Sequence, residues 1–475
     1  MNNDALLVSS YGRLPRPGVI GALKTSLPML GLGLLVGFVA VADPHLAVVL
    51  ALGGVIVTSL SASPTRTERV AVMILLAGAI VLNYGFANIG VAEPIPLPLT
   101  EILLIPLAIV ALSDRRYRLS TKLLLPLTLF LGIVAARLIV DYPTYKSLAL
   151  RDATIAIEAF ALVIGYRSLE REGLSTWIIR LRILSLLTLA YASLYPWRDI
   201  LRHWSPTVGL QRGVPLLGSF EGIQPAVLAA TLFFATYSRG MRRVMFVTWG
   251  VALIGIYQAR ALYLVLPLAV AALGWGMRRP VKTILVWGLS LLTGAVILSS
   301  LAGVGIQGRV GPLTSNFYAA HFDTLLGGGG PEAGSLDARV NWTWETIAYV
   351  RSSPTYIAFG VGLGPDLAFG FLENGERLVR KPHDDYLEIF ARTGVLGFSV
   401  FIWLLVSALR PIARAARAKR DEMGRLCTWI LASSLVYLAV AATQPLLSFP
   451  YGTVPLFFLL GVGVAAARSQ DRQRV

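Results

Sequence analysis

The sequence predicts an all-α polytopic membrane protein of about 12–14 transmembrane helices, with one large, partly helical loop on the side opposite the termini. Three observations carry that expectation. First, the 475 residues are 55% hydrophobic and 14% charged, with mean hydropathy +0.68; a soluble chain would carry roughly a quarter charged residues. Second, apolar runs of about twenty residues recur, each long enough to cross a bilayer. They are continuous and do not alternate, so helices rather than barrel strands satisfy the backbone in lipid. Third, arginine falls in alternate connections between the runs.

Taken in order, the apolar runs lie at 25–42, 46–62, 70–89, 98–113, 122–140, 152–166, 176–195, 220–237, 243–258, 261–277, 282–302, 385–409, 426–445 and 452–467. The first is followed by Asp43-Pro44 and another span, which reads as a retained helix and not a cleaved signal. One set of connections holds Arg66 and Arg69, Arg115, Arg116 and Arg118, Arg239 to Arg243, Arg278 to Lys282, and Arg410 to Arg425. The opposite short loops hold few cations, so the positive-inside rule puts both termini in the cytoplasm. Three regions follow: a helix bundle over 1–301, a large outward loop over 302–383, and C-terminal helices with a cytoplasmic tail over 384–475.

The net charge of +16 is spread over short loops and gathered on no domain. It reads as an orientation signal with attraction to anionic membrane lipid, and it argues against nucleic-acid binding. The single Cys427 excludes an internal disulfide, and His45, His203, His321 and His383 show no metal-ligand spacing. No Walker A sequence and no glycine-rich phosphate loop is present, so neither nucleotide hydrolysis nor a cofactor is expected. No internal repeat at a fixed period is found, which argues against a repeat-built transporter.

Two outward connections are long, about 195–218 and 302–383, and loops of such length commonly carry function. The longer contains Trp342, Trp344, Tyr349, Tyr356, Phe369 and Phe371, an amphipathic helix over 341–350, and a glycine run at 327–330 placed as a hinge. It ends on Arg380-Lys381-Pro382-His383-Asp384-Asp385-Tyr386-Leu387-Glu388, where a histidine, three carboxylates and two cations meet the start of an apolar helix. Charge at a membrane boundary is costly and marks a functional candidate; the competing reading is a solvated helix cap. Within the bundle, Arg137 and Glu158 read as an ion pair across two spans, and Arg151-Asp152 opens a span on the outer side.

These residues resemble a family. His383 and Asp384, then Gly394 and Gly397, are similar to the signature of bacterial O-antigen ligases and related polymerases, with Asp384 where a neutral polar residue is usual. Arg212-Gly213 followed by Gly218-Ser219-Phe220 resembles the family's arginine segment before a helix, and Gln258-Ala259-Arg260-Ala261 its Ser-Arg pair between helices. Arg339, Trp344, Pro354 and Gly360-Val361-Gly362-Leu363-Gly364 resemble the run ahead of the family histidine.

The resemblance implies a GT-C-like arrangement in the bacterial cytoplasmic membrane, with the site on the periplasmic side. It implies transfer of a glycan from an undecaprenyl diphosphate carrier to an acceptor hydroxyl, inverting and without metal. The residues agree with that chemistry. A diphosphate leaving group needs cations, and Arg212, Arg260 and Arg339 are the candidates because guanidinium makes two charge-assisted bonds at once. The hydroxyl needs a general base, and His383 is the candidate; Asp384, Asp385 and Glu388 are placed to support it. The acceptor is expected to be lipid A-core, as in a ligase; a growing glycan, as in a polymerase, and a lipid-linked glycan transporter are the alternatives.

Overall fold

The structure is a computed structural model that describes residues 64–91, 97–117, 119–208, 214–303, 308–311, 313–323, 333–368, 372–373, 376–377, 380–418 and 421–468. The expected spans at 25–42 and 46–62, the glycine run at 327–330 and Arg212 lie outside the described residues. The chain divides into two compact units, Met1–Pro64 and Thr65–Val475, and the second holds the elements below.

The fold is α-helical throughout, with three antiparallel hairpins of two-residue strands. In chain order the helices are α1 (Pro64–Ala77), α2 (Tyr84–Ala87), α3 (Leu99–Ser113), α4 (Thr121–Tyr145), α5 (Ser147–Glu158), α6 (Ala161–Glu172) and α7 (Leu174–Ala192). Next come α8 (Arg198–Trp204), α9 (Gln224–Tyr237), α10 (Gly240–Tyr257), α11 (Arg260–Met277) and α12 (Pro280–Gly303). The long loop carries α13 (Ser315–Asp323), α14 (Ala333–Arg351) and α15 (Pro354–Phe359). The chain closes with α16 (Asp385–Ala418), α17 (Glu422–Ala441) and α18 (Pro450–Arg468).

Among the described residues, seven helices are long and apolar enough to cross a membrane: α4, α7, α11, α12, α16, α17 and α18. Two further apolar helices, α3 and α9, are shorter. At 1.5 Å per residue a helix of α9's length reaches roughly 21 Å, less than the hydrocarbon thickness. The run read as one span at 152–166 is two helices, α5 and α6, which meet at Ala159–Phe160. The run at 70–89 is likewise broken. It passes from α1 through a π turn to Asn83, which adopts φ +54 and whose side-chain oxygen accepts from the Tyr84 and Gly222 amides.

α18 is the central helix; nearly every residue in it is buried, and it runs against α6. Small residues permit this approach. A Cβ on Gly461 would stand 2.0 Å from the Leu162 carbonyl oxygen, and one on Gly165 2.2 Å from that of Phe458. Close backbone contact of this kind is how helices associate where apolar burial gives no net drive.

Helix direction sorts the charged connections. α9, α10, α11 and α17 pack side by side. The end of α9, the start of α10, the end of α11 and the start of α17 form one end of the bundle, and residues 239–243, 278–279 and 424–425 gather there. The opposite end holds the α10–α11 turn, the start of α16 and the end of α17, and with them Arg260, Arg339 and His383.

The expected Arg137–Glu158 pair is not formed. Arg137 instead meets Asp141 one turn along its own helix at 3.5 Å and donates to the Gly360 carbonyl at 3.2 Å. A carboxylate at i+4 is the nearer partner, and Glu158 is fully buried in the bundle beside Glu101.

Candidate functional site

His383 sits on the turn that feeds α16, at φ +56. A residue with a Cβ pays about 1–2 kcal/mol to hold that left-handed conformation, so the surrounding contacts must impose it. The ring lies 5.2 Å from that of Trp342 on α14, tilted by 30°. Its Nδ1 is 3.2 Å from the Lys381 carbonyl oxygen. A carbonyl only accepts, so this contact calls for the proton on Nδ1 and leaves the Nε2 lone pair available. Burial is the main influence on the ring's ionisation and pushes it below the ordinary histidine value, with Arg339 adding to the depression. His383 is therefore neutral at pH 7, the form a base requires.

Arg339 projects from α14 and donates to the Thr443 carbonyl at 3.0 Å, just past the end of α17. Burial, and then the charges of Arg309 and Arg260, lower its affinity for its proton. Arg339 thus lies within electrostatic reach of His383 on one side and of Arg309 and Arg260 on the other. Among the described residues no carboxylate pairs with Arg309 or Arg339. Arg309 was not singled out by sequence, since it lies in a polar loop with no periodicity around it. Gln258 fixes that loop. Gln258 adopts φ +49, and its side-chain oxygen accepts from the amides of Val310 at 2.7 Å and Gly311 at 3.0 Å. Its amide nitrogen donates to the Gly311 carbonyl at 3.1 Å. The Gln258-Ala259-Arg260 segment therefore holds the 308–311 loop, and with it Arg309, beside Arg260 at the α10–α11 turn.

The three carboxylates do not contact His383. Asp384 is the N-cap of α16: one of its oxygens accepts from the Tyr386 and Leu387 amides at 2.9 and 3.1 Å. Asp385 accepts from the Leu447 amide at 2.6 Å and the Ser448 hydroxyl at 2.8 Å. Glu388 pairs with Lys381 at 2.9 Å and Arg392 at 3.5 Å, and it also lies 2.8 Å from the Ser448 hydroxyl, whose single proton serves one of the two carboxylates at a time. Helix geometry explains this arrangement. Asp385 and Glu388 share the face of α16 turned toward α18, whereas His383 precedes the helix on a left-handed residue that turns its ring toward α14.

Behind these groups lies a buried ionic hub that the sequence did not reveal. Asp152, at 8% exposure, meets Arg380 at 2.6 Å and Arg392 at 3.0 Å, and it accepts from the Gly364 amide at 2.9 Å. Arg392 also donates to the carbonyls of Pro365 at 2.8 Å and Gly362 at 3.2 Å. The Gly360–Gly364 loop is thereby tied to both α5 and α16. It approaches α16 where Gly394, at φ +67, interrupts the helical backbone; the Val361 amide bonds the Ala391 carbonyl at 2.7 Å, and a Cβ on Gly394 would stand 2.4 Å from Ala358. An arginine inside an apolar run was the signal available for Arg392. The cavity among these charges holds about 30 Å³, the share of a single water. The hub's ion pairs tie the Gly360–Gly364 loop to the helices around it.

Of the predicted residues, His383, Arg339 and Arg260 share one locality, with Asp384, Asp385 and Glu388 directly below in α16. Among the described residues no three His, Cys, Asp or Glu side chains converge as a metal would need. Chemically, the locality offers a neutral base atom beside a group of guanidinium donors, suited to deprotonating a hydroxyl near an anionic leaving group. No family model matches the chain, and no curated protein matches it.

Proposed function

We propose that this protein is a glycosyltransferase of the O-antigen ligase and polymerase type, acting at the outer face of the bacterial cytoplasmic membrane with both termini inside. The donor is a glycan on undecaprenyl diphosphate, and the acceptor is a hydroxyl of lipid A-core. His383 Nε2 takes the acceptor proton as the oxygen bonds the anomeric carbon. The anomeric bond to the diphosphate breaks from the opposite side, which inverts the centre. Arg339 and Arg260, together with Arg212, carry the charge of the departing diphosphate, and neither a metal nor a cofactor takes part. The observation that carries this reading is His383 anchored through Nδ1 and within electrostatic reach of Arg339, which has Arg309 and Arg260 on its other side.

Reconstitution of the full chain with an undecaprenyl diphosphate glycan tests it. A new glycosidic bond to lipid A-core supports the ligase. Lengthening of the carrier-linked glycan selects the polymerase instead. Donor crossing the bilayer without bond formation rejects the enzyme and selects a transporter.

A further inference from the structure

At the end of the bundle away from His383, the α9–α10 and α11–α12 turns and the start of α17 enclose a cavity of about 500 Å³. Five arginines line it: Arg239, Arg243, Arg278, Arg279 and Arg425. Interactions within the protein hold several of them in place. Arg243 donates to the Ser238 carbonyl at 2.9 Å, and Arg278 donates to the Arg417 carbonyl. Arg425 lies over the Tyr237 ring at 5.7 Å, with its Nε buried and without a partner. The carboxylate on these arginines among the described residues is Glu422, 3.4 Å from Arg425, and its side chain is 58% exposed. Like charges gathered at this density repel, and with so little internal compensation the cavity is a site for an anion.

A second space of about 620 Å³ lies beside it, with Tyr237 and Arg239 lining both. This one is an apolar groove. Leu186, Phe234, Met241 and Phe246 line it, Phe234 and Phe246 stack at 3.9 Å, and Arg182 and Arg242 stand at its sides. Met241 is 74% exposed and Leu186 44% exposed, so the groove opens outward. A soluble anion has no use for such a surface. A molecule with a phosphate at one end and a hydrocarbon chain at the other fits both halves.

We propose that this is a binding site for a membrane phospholipid with an anionic headgroup, its phosphate among Arg239, Arg243 and Arg279 and one acyl chain along the Phe234–Phe246 groove. Basic pockets between transmembrane helices recognise anionic lipid in this way. The lipid would tie α9, α10, α11 and α17 together at the end opposite the reaction site. The proposal stands apart from the glycosyl-transfer reading and does not depend on it.

Native mass spectrometry of the full-length protein in detergent, titrated in parallel with phosphatidylglycerol and phosphatidylcholine, tests it. Preferential retention of phosphatidylglycerol is expected. The Arg243→Gln/Arg279→Gln variant removes two cations and is expected to reduce that preference by roughly thirtyfold. Arg243→Lys/Arg279→Lys keeps the charge and is expected to retain most of it. Equal retention of the two lipids by the unaltered protein would overturn the proposal, with no variant required. A preference unchanged in the Gln variant would overturn it too, by placing the anionic lipid elsewhere. Displacement of phosphatidylglycerol by millimolar inorganic phosphate alone would make the cavity a free-anion site and reject the lipid.

Discussion

Two charged clusters lie close together at one end of this bundle, and they are built on opposite plans. In the hub around Asp152, opposite charges meet: Arg380 and Arg392 on Asp152, and Lys381 and Arg392 on Glu388. Around His383 the plan is reversed. Arg339 leans on a neutral carbonyl, and its charged neighbours are the cations Arg309 and Arg260. Paired charge inside a protein fixes geometry, because either partner left alone is severely penalised. Arg339, held by a carbonyl and set beside other cations, is the group there that gains most from an incoming anion. The difference fits the first cluster to holding the loop and, under the proposed function, the second to holding the diphosphate.

The largest expected effect tests the second cluster. His383→Ala should lower the rate of transfer by two to four orders of magnitude, on the order of what a positioned base supplies. Donor binding, measured with the undecaprenyl diphosphate glycan, should persist because the arginines remain. In the unaltered protein, transfer should rise with pH as the ring loses its proton. Because burial lowers that ionisation, the limb should be centred below the ordinary histidine value of 6.5. The same limb in the variant, with only KM altered, would reassign His383 to sugar binding.

Next in size are the arginines. Arg339→Ala and Arg260→Ala should each reduce transfer by roughly ten- to a hundredfold, and lysine should rescue only in part, since a point charge cannot supply two parallel bonds. Their unfolding midpoints should stay near that of the parent.

The hub is expected to respond in the opposite sense. Arg392→Met leaves Asp152 and Glu388 short of a partner and should cost about 3–5 kcal/mol of stability, read from unfolding in detergent. Equal destabilisation by Arg339→Ala and Arg392→Met would erase the distinction between the clusters. Gly394→Ala should also be destabilising, because its Cβ would meet Ala358 at 2.4 Å and the backbone holds φ +67.

The smallest effect sharpens the boundary between them. Asp384→Ala removes an N-cap and should cost about 1 kcal/mol, while transfer per folded molecule stays nearly unchanged. A large loss of transfer with stability intact would put Asp384 in contact with the reaction after all.

Much of this architecture could be read from the chain. Continuous apolar runs located α4, α7, α11, α12, α17 and α18 to within about five residues, and the start of α16, which runs on to Ala418, nine residues past the expected end; a long uninterrupted hydrophobic stretch has only one way to bury its backbone in lipid. Breaks were harder to place. The run at 152–166 reads as one span, yet it bends at Ala159–Phe160, where both residues keep helical dihedrals and no proline or glycine gives the turn away. The ion pair assigned to Arg137 and Glu158 failed for a related reason: opposite charges in adjacent spans suggest a partnership, but rotation of the helices about their axes decides it.

By itself, the sequence determined the helical membrane class, the separation of arginine-rich connections from the His383 end, and the residue types available for chemistry. Those follow from hydropathy, charge and spacing, which are local properties. Only the tertiary structure decided which charges neutralise one another. Asp152 meets Arg380 and Arg392 across more than two hundred residues of chain, and Gln258 carries Arg309 to Arg339 through a loop that no periodicity marks. Electrostatic energy depends on distance in space and on burial, and neither is encoded in the order of residues along the chain.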